Sequence, residues 1–125
     1  MSDLSQAMAA RLTQIDYDRE MALIALNPHP GEETDGWGVV RIAADADNTQ
    51  AEFAVIVRSD MQGYGIGRLL MDRILDYAKS RGIAEIWGNV LSENDAMLAL
   101  ARHLGFKAAQ LPGEPGVSRI TKFLV

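Results

Sequence analysis

Three groups of residues have the types and spacing that chemistry requires. The first is the glycine-rich turn Gln62-Gly63-Tyr64-Gly65-Ile66-Gly67, with Arg68 directly after it. Glycines let the main chain approach a ligand, and the N–H groups of a helix's first turn carry partial positive charge toward it. A strand that runs into such a turn and then into a helix is therefore a phosphate-binding device. A Walker A loop would need Lys-Ser/Thr after the last glycine, but the sequence continues Gly67-Arg68-Leu69. A dinucleotide fingerprint would need a glycine at position 68, which is arginine. A tight turn with no ligand is the plain alternative. The second group is Glu52, a carboxylate five residues before Val57 on the strand that enters the turn. It is a candidate general base, or else a strand-end glutamate on a solvated face. Glu20, flanked by Asp18 and Arg19, reads as a surface carboxylate. The third is Asn94, within Ser92-Glu93-Asn94-Asp95, which is able to cap a helix. With two histidines (His29, His103) and no cysteine, no metal site is expected.

The elements that must position these groups follow from periodicity. Leu4, Met8 and Leu12 recur every four residues, which predicts a helix over 4–14. Glu20–Leu26, Trp37–Ile42 and Glu52–Val57 read as strands joined by short breakers, an antiparallel meander. Ile66, Leu69, Leu70, Ile74, Tyr77 and Ala78 form one apolar stripe of a strong helix that Gly82 stops. Ile83–Leu91 is a strand, parallel to 52–57 because one helix separates the two. Met97, Leu100, Ala101 and Leu104 mark a second helix ended by Gly105, and strands from Phe106 and over Arg119–Val125 close the order.

The 125 residues suit one domain spanning 1–125, of the α/β (α+β) class with a mixed central sheet of about six strands flanked by helices. A net charge of −5 speaks against a nucleic-acid partner, which would need a clustered basic face. No apolar run approaches the length of a membrane span, so no membrane is expected and a cytoplasmic location is the default.

Gln62-x-x-Gly65-x-Gly67 after an apolar strand ending in Val57 resembles the pyrophosphate-binding motif of the GCN5-related N-acetyltransferase (GNAT) superfamily. Asn94-Asp95-Ala96-Met97 followed by Leu104-Gly105-Phe106 resembles its asparagine-to-Gly-Phe helix. The stretches 15–22, 51–55 and 98–102 look like the acetyltransferase domain of bacterial protein lysine acetyltransferases, often fused to an acyl-CoA synthetase-like region. The resemblance implies the GNAT fold, acetyl-CoA as co-substrate and a protein lysine as acceptor. It further implies that the pantetheine arm pairs with the main chain of Val55, Ile56 and Val57. Gln62, Gly63, Tyr64, Gly65, Ile66, Gly67 and Arg68 would hold the pyrophosphate, and Asn94 would reach the pantetheine or act only as a cap.

Moving an acetyl group from a thioester to an amine needs a neutral amine and a donor for the carbonyl oxygen as charge builds on it. A lysine with a pKa near ~10.4 costs about 4–5 kcal/mol to hold deprotonated at pH 7. By resemblance Glu52 is the base, set between apolar walls that would raise its pKa, and the Val57 N–H is the oxyanion donor. Many family members carry a tyrosine as thiolate acid where this chain has Ala101, which leaves water or His103. The superfamily also begins with a further strand and helix ahead of the helix expected at 4–14. An N-terminally shortened fold would leave the strand near Arg19 as an open edge and favour a homodimer. A small-molecule amine acetyltransferase and a catalytically silent acetyl-CoA-binding module stand as alternatives.

Overall fold

The computed structural model describes residues 9–28 and 36–125. His29 and residues 4–8 of the helix expected over 4–14 lie outside the described residues. Ala9 is helical, but beyond it the expectation fails, because Arg11–Asp16 is a strand, β1. The pairing that decides this is not local: β1 runs antiparallel to β2 (Glu20–Leu26) from Arg11↔Leu26 to Asp16↔Met21. Thr13 and Ile15, both β-branched, suit that ladder better than a helix. The strand near Arg19 is therefore interior, and the open edge expected there, with its ground for a homodimer, is replaced by β1.

β3 (Gly36–Ala44) and β4 (Gln50–Val57) extend the meander, and helix α1 (Ile66–Ser80) crosses over to β5 (Glu85–Leu91). Helix α2 (Asp95–His103), β6 (Lys107–Gln110) and β7 (Val117–Phe123) complete a seven-stranded sheet of order β1-β2-β3-β4-β5-β7-β6. The expected count was about six, and β1 is the addition. The parallel β4–β5 pair forms as the single helical crossover requires.

The sheet has two unlike faces. Met21, Leu23 and Ala25 of β2, Val40 and Ile42 of β3, and Ala51 and Phe53 of β4 are buried at every second position. The stripe Ile66, Leu70, Ile74 and Ala78 of α1 is 0–1% exposed against that side, each large side chain contributing about 1.5–3 kcal/mol. Gly38 allows α1 to sit this close, since a Cβ there would lie 3.1 Å from the Leu70 side chain and 3.2 Å from that of Ile66. On the other face Arg41, Glu52 and Ile56 are exposed.

β4 and β5 pair at only Gln50↔Glu85, Ala51↔Ile86 and Glu52↔Trp87, and then diverge. The point of divergence is tightly made. A Cβ on Gly88 would lie 2.8 Å from the Phe53 carbonyl oxygen and 2.9 Å from its ring, which in turn packs against Phe106 at 5.6 Å between centroids. Because the obstructing oxygen belongs to the backbone, it has no rotamer to escape into. Gly88→Ala is expected to destabilise the fold by about 1–3 kcal/mol, read as a lowered midpoint in urea or thermal unfolding.

Candidate active site

At the end of β4 the Arg58 N–H donates to the Trp37 carbonyl of β3 at 2.9 Å. Strand alternation then turns the N–H and C=O groups of Phe53, Val55 and Val57 the other way, toward β5. Two contacts agree with this: the Phe53 oxygen lies beside Gly88, and the Val57 carbonyl accepts from Gln62 Nε2 at 3.4 Å. No β5 residue pairs with Val55 or Val57, so their N–H groups face the gap between the diverging strands.

The turn that follows is shaped for an anion. Gly63 (φ 87°) and Gly65 (φ 80°) adopt left-handed backbone that an L side chain resists. Gly65 caps α1 without any side-chain hydrogen bond, and the first turn holds no acidic residue. Leu69 N–H bonds back to the Gly65 carbonyl at 3.0 Å, which leaves the N–H groups of Ile66, Gly67 and Arg68 without helical acceptors. Gly67 is a glycine for another reason. A Cβ there would stand 3.5 Å from Val57 Cγ2 and 3.8 Å from Leu100 Cδ2, in the space between strand and second helix. Arg68 is half-exposed, its Nε 3.8 Å from Asp72 Oδ2, a pair too loose and too wet to withhold its charge from a ligand. The connection from β4 to the turn is clasped by Arg58, whose Nε and Nη2 donate to Asp60 at 2.6 and 3.1 Å. That hydrogen bond holds the Asp60 carboxyl below the usual carboxylate range.

Helix α2 supplies the opposite wall. Asn94 Oδ1 accepts from the Met97 N–H at 3.1 Å, so the capping role is realised. Asn94 also lines a cavity of about 270 Å³, together with Val55, Val57, the turn and the helix residues Ala96, Met97 and Leu100. Met61, Ala96, Met97 and Leu100 are site residues that the sequence reading missed. Met97 and Leu100 were visible as a helical stripe, but periodicity marks a face without saying whether core or ligand covers it. Ala101, the position of the family's tyrosine, is 1% exposed and belongs to the core. His103 is exposed in the last turn of α2 and does not line the cavity.

The cavity thus gathers Val55, Val57, Gln62, Gly63, Gly65, Ile66, Gly67, Arg68 and Asn94. Tyr64 is 38% exposed outside it. Ile56 points its side chain to solvent, 67% exposed, and its carbonyl oxygen toward Gly38 of β3. Glu52, an odd number of residues from Val55 and Val57, projects from the opposite face. It is exposed there and lines a second depression with Glu20, Arg41, Ala43 and Ala54. Among the described residues Glu52 is exposed on that face and not enclosed in a cleft. Among the described residues no three His, Cys, Asp or Glu side chains come together as metal ligands. No helix among them is long and apolar enough to cross a membrane.

Residues 7–106 match the model of the Acetyltransferase (GNAT) family. Acetyltransferase PA5475 of Pseudomonas aeruginosa is 32% identical over 114 residues, which span 91% of this chain and 61% of that protein. Among solved structures, the GNAT domain of S. lividans PAT superposes with a TM-score of 0.70 at 27% identity, covering 89% of this chain and 64% of that one. The protein yncA of Salmonella typhimurium, solved with its cofactor acetyl-CoA, gives 0.68 at 22% identity, covering 85% and 65%. The chain therefore spans less than two thirds of each of these relatives.

The two kinds of glycine separate stability from ligand binding. Gly67→Ala adds a methyl at ordinary contact distance inside a helix, so the melting temperature is expected to hold or rise, by up to about 1 kcal/mol of added stability. The same methyl narrows the cavity, and calorimetry should show weaker acetyl-CoA binding. Gly65→Ala strains a left-handed residue and should lower stability by about 1–2 kcal/mol.

Proposed function

The chain belongs to the acetyltransferase (GNAT) family, and on that premise we propose that it transfers the acetyl group of acetyl-CoA directly to an amine, with Glu52 as general base. One observation carries the reading. β4 presents the free N–H groups of Val55 and Val57 to the gap beside the glycine turn, while the same strand carries Glu52 on its far face. The turn and the uncapped first turn of α1 suit a pyrophosphate. The acyl-pantetheine arm then takes the gap that β5 vacates, pairing with the main chain of Val55 and Val57.

In the proposed reaction the amine approaches from the open face of the sheet. The nitrogen lone pair attacks the thioester carbonyl carbon, and the Val57 N–H stabilises the oxygen as it gains charge. Glu52 takes the amine proton, the C–S bond breaks, and the CoA thiolate leaves to be protonated by water. We take a lysine side chain of a protein as the acceptor, supported by the resemblance of residues 15–22, 51–55 and 98–102 to protein lysine acetyltransferases. Its entry calls for an open approach, and Glu52 is exposed on a face that no described helix covers.

Because Glu52 and the cavity lie on opposite faces, base and donor site are separable. Glu52→Gln is expected to lower the acetylation rate by ~10²–10⁴ while leaving acetyl-CoA affinity unchanged in calorimetry. Full activity in this variant would remove Glu52 from the mechanism.

A further inference from the structure

The open face carries one side chain that is held in place without an ionic partner. Arg119 of β7 lays its guanidinium over the Trp87 ring, 4.1 Å from Cζ to the centroid, and donates from Nε to Asn89 Oδ1 at 3.1 Å. The stack fixes the plane of the guanidinium and the hydrogen bond fixes its rotation. Its two terminal nitrogens then form an oriented fork. Among the described residues no carboxylate pairs with that fork, although the chain holds 17 Asp and Glu against 12 Lys and Arg. Arg119 is half-buried, so its orientation costs less entropy than that of a free surface arginine.

Its position gives the fork a use. Trp87 is the β5 partner of Glu52 in the last parallel pair before the strands part. The order across the open face is therefore Glu52, the gap rim at Trp87, and Arg119 stacked on Trp87. Arg41 stands on β3, on the other side of β4 from the gap. Base and guanidinium thus flank the place where an amine would meet the thioester. Each of them is free of an ion pair among the described residues.

We propose that Arg119, held by Trp87 and Asn89, is an acceptor-binding residue that receives a carboxylate carried close to the reacting amine. The inference rests on the acetyltransferase reading and narrows its substrate class. An acid-to-guanidinium fork is directional and charge-assisted, so it selects an acceptor that pairs an amine with an acid. That chemistry has two sources: the α-carboxylate of a free amino acid, or an acidic residue beside a lysine in a protein.

The test compares matched acceptors in steady-state kinetics with saturating acetyl-CoA. One pair is a set of free L-amino acids against their amides, and the other is a lysine peptide with flanking Asp against the same peptide with Asn. In the wild type the acid member of at least one pair should have a kcat/KM higher by about 10–100-fold, as expected for a charged hydrogen bond. The advantage should lie in KM. R119Q should bring that ratio to about one, and R119K, which keeps the charge without the fork, should restore only part of it. A ratio confined to the free amino acids assigns the α-carboxylate, and one confined to the peptides assigns the side-chain acid. Equal rates for acid and neutral members in the wild type, or a ratio that survives in R119Q, overturns the proposal. If no acceptor is acetylated at all, the transferase reading fails instead. The anchor is then decided by binding: free amino acids or the Asp-flanked lysine peptide, but not the matching amides or Asn peptide, should shift the Trp87 indole N–H resonance, and R119Q should abolish the shift. No shift with either set overturns it.

Discussion

The structure depends on a contact between two pieces of backbone. β5 must stay paired with β4 as far as Glu52↔Trp87 and then leave it. Gly88 makes this possible by letting the two strands touch where any side chain would collide with the Phe53 oxygen. Without that close contact the strands would part earlier and the Phe53 ring would lose its seat against Phe106. Without the divergence beyond it, the N–H groups of Val55 and Val57 would be spent on a neighbouring strand. A sheet that closed fully would be better bonded and would have no place for an extended ligand.

The residues with a stringent local requirement were the ones legible in the sequence. Gly63 and Gly65 announce themselves because few other residues tolerate their backbone angles. The stripe from Ile66 to Ala78 is long enough that only a helix satisfies it. Asn94 was legible as a cap because the capping bond reaches only to Met97, three residues away. The failures all involve partners distant in sequence. Leu12 continues a four-residue spacing that fits a helix, yet its fate is decided by Ala25 across the ladder. Met97 and Leu100 were readable as a face but not as a cavity wall, since what lies opposite is a turn some thirty residues upstream. For Glu52 its face follows from counting by two, but its exposure depends on whether any other segment covers that face.

Arg119 illustrates a third category, the residue with no sequence signal at all. A lone arginine in a C-terminal strand looks like any solvated charge. Its place in the proposed acceptor site depends on register: Asn89↔Arg119 and Trp87↔Thr121 bring one guanidinium within reach of an amide and an indole from the same neighbouring strand. The gap rim is thus lined by residues from β4, β5 and β7, whose positions are fixed by hydrogen-bonded ladders and not by loops. Such positions vary little with side-chain substitution, which is what a site needs when the reacting groups must meet within a few tenths of an ångström.

The two faces of β4 also constrain how this segment tolerates change in length. Side chains alternate strictly, so the odd separation between Glu52 and Val55 is a geometric quantity in its own right. Deleting or inserting a single residue between them would carry the carboxylate through to the helix-covered side and turn core atoms out to water, even if every residue kept its identity. Two residues could be added or removed with the faces preserved, at the cost of shifting the strand against Gly88. In this segment the count of residues is as much a part of the proposed chemistry as their kinds.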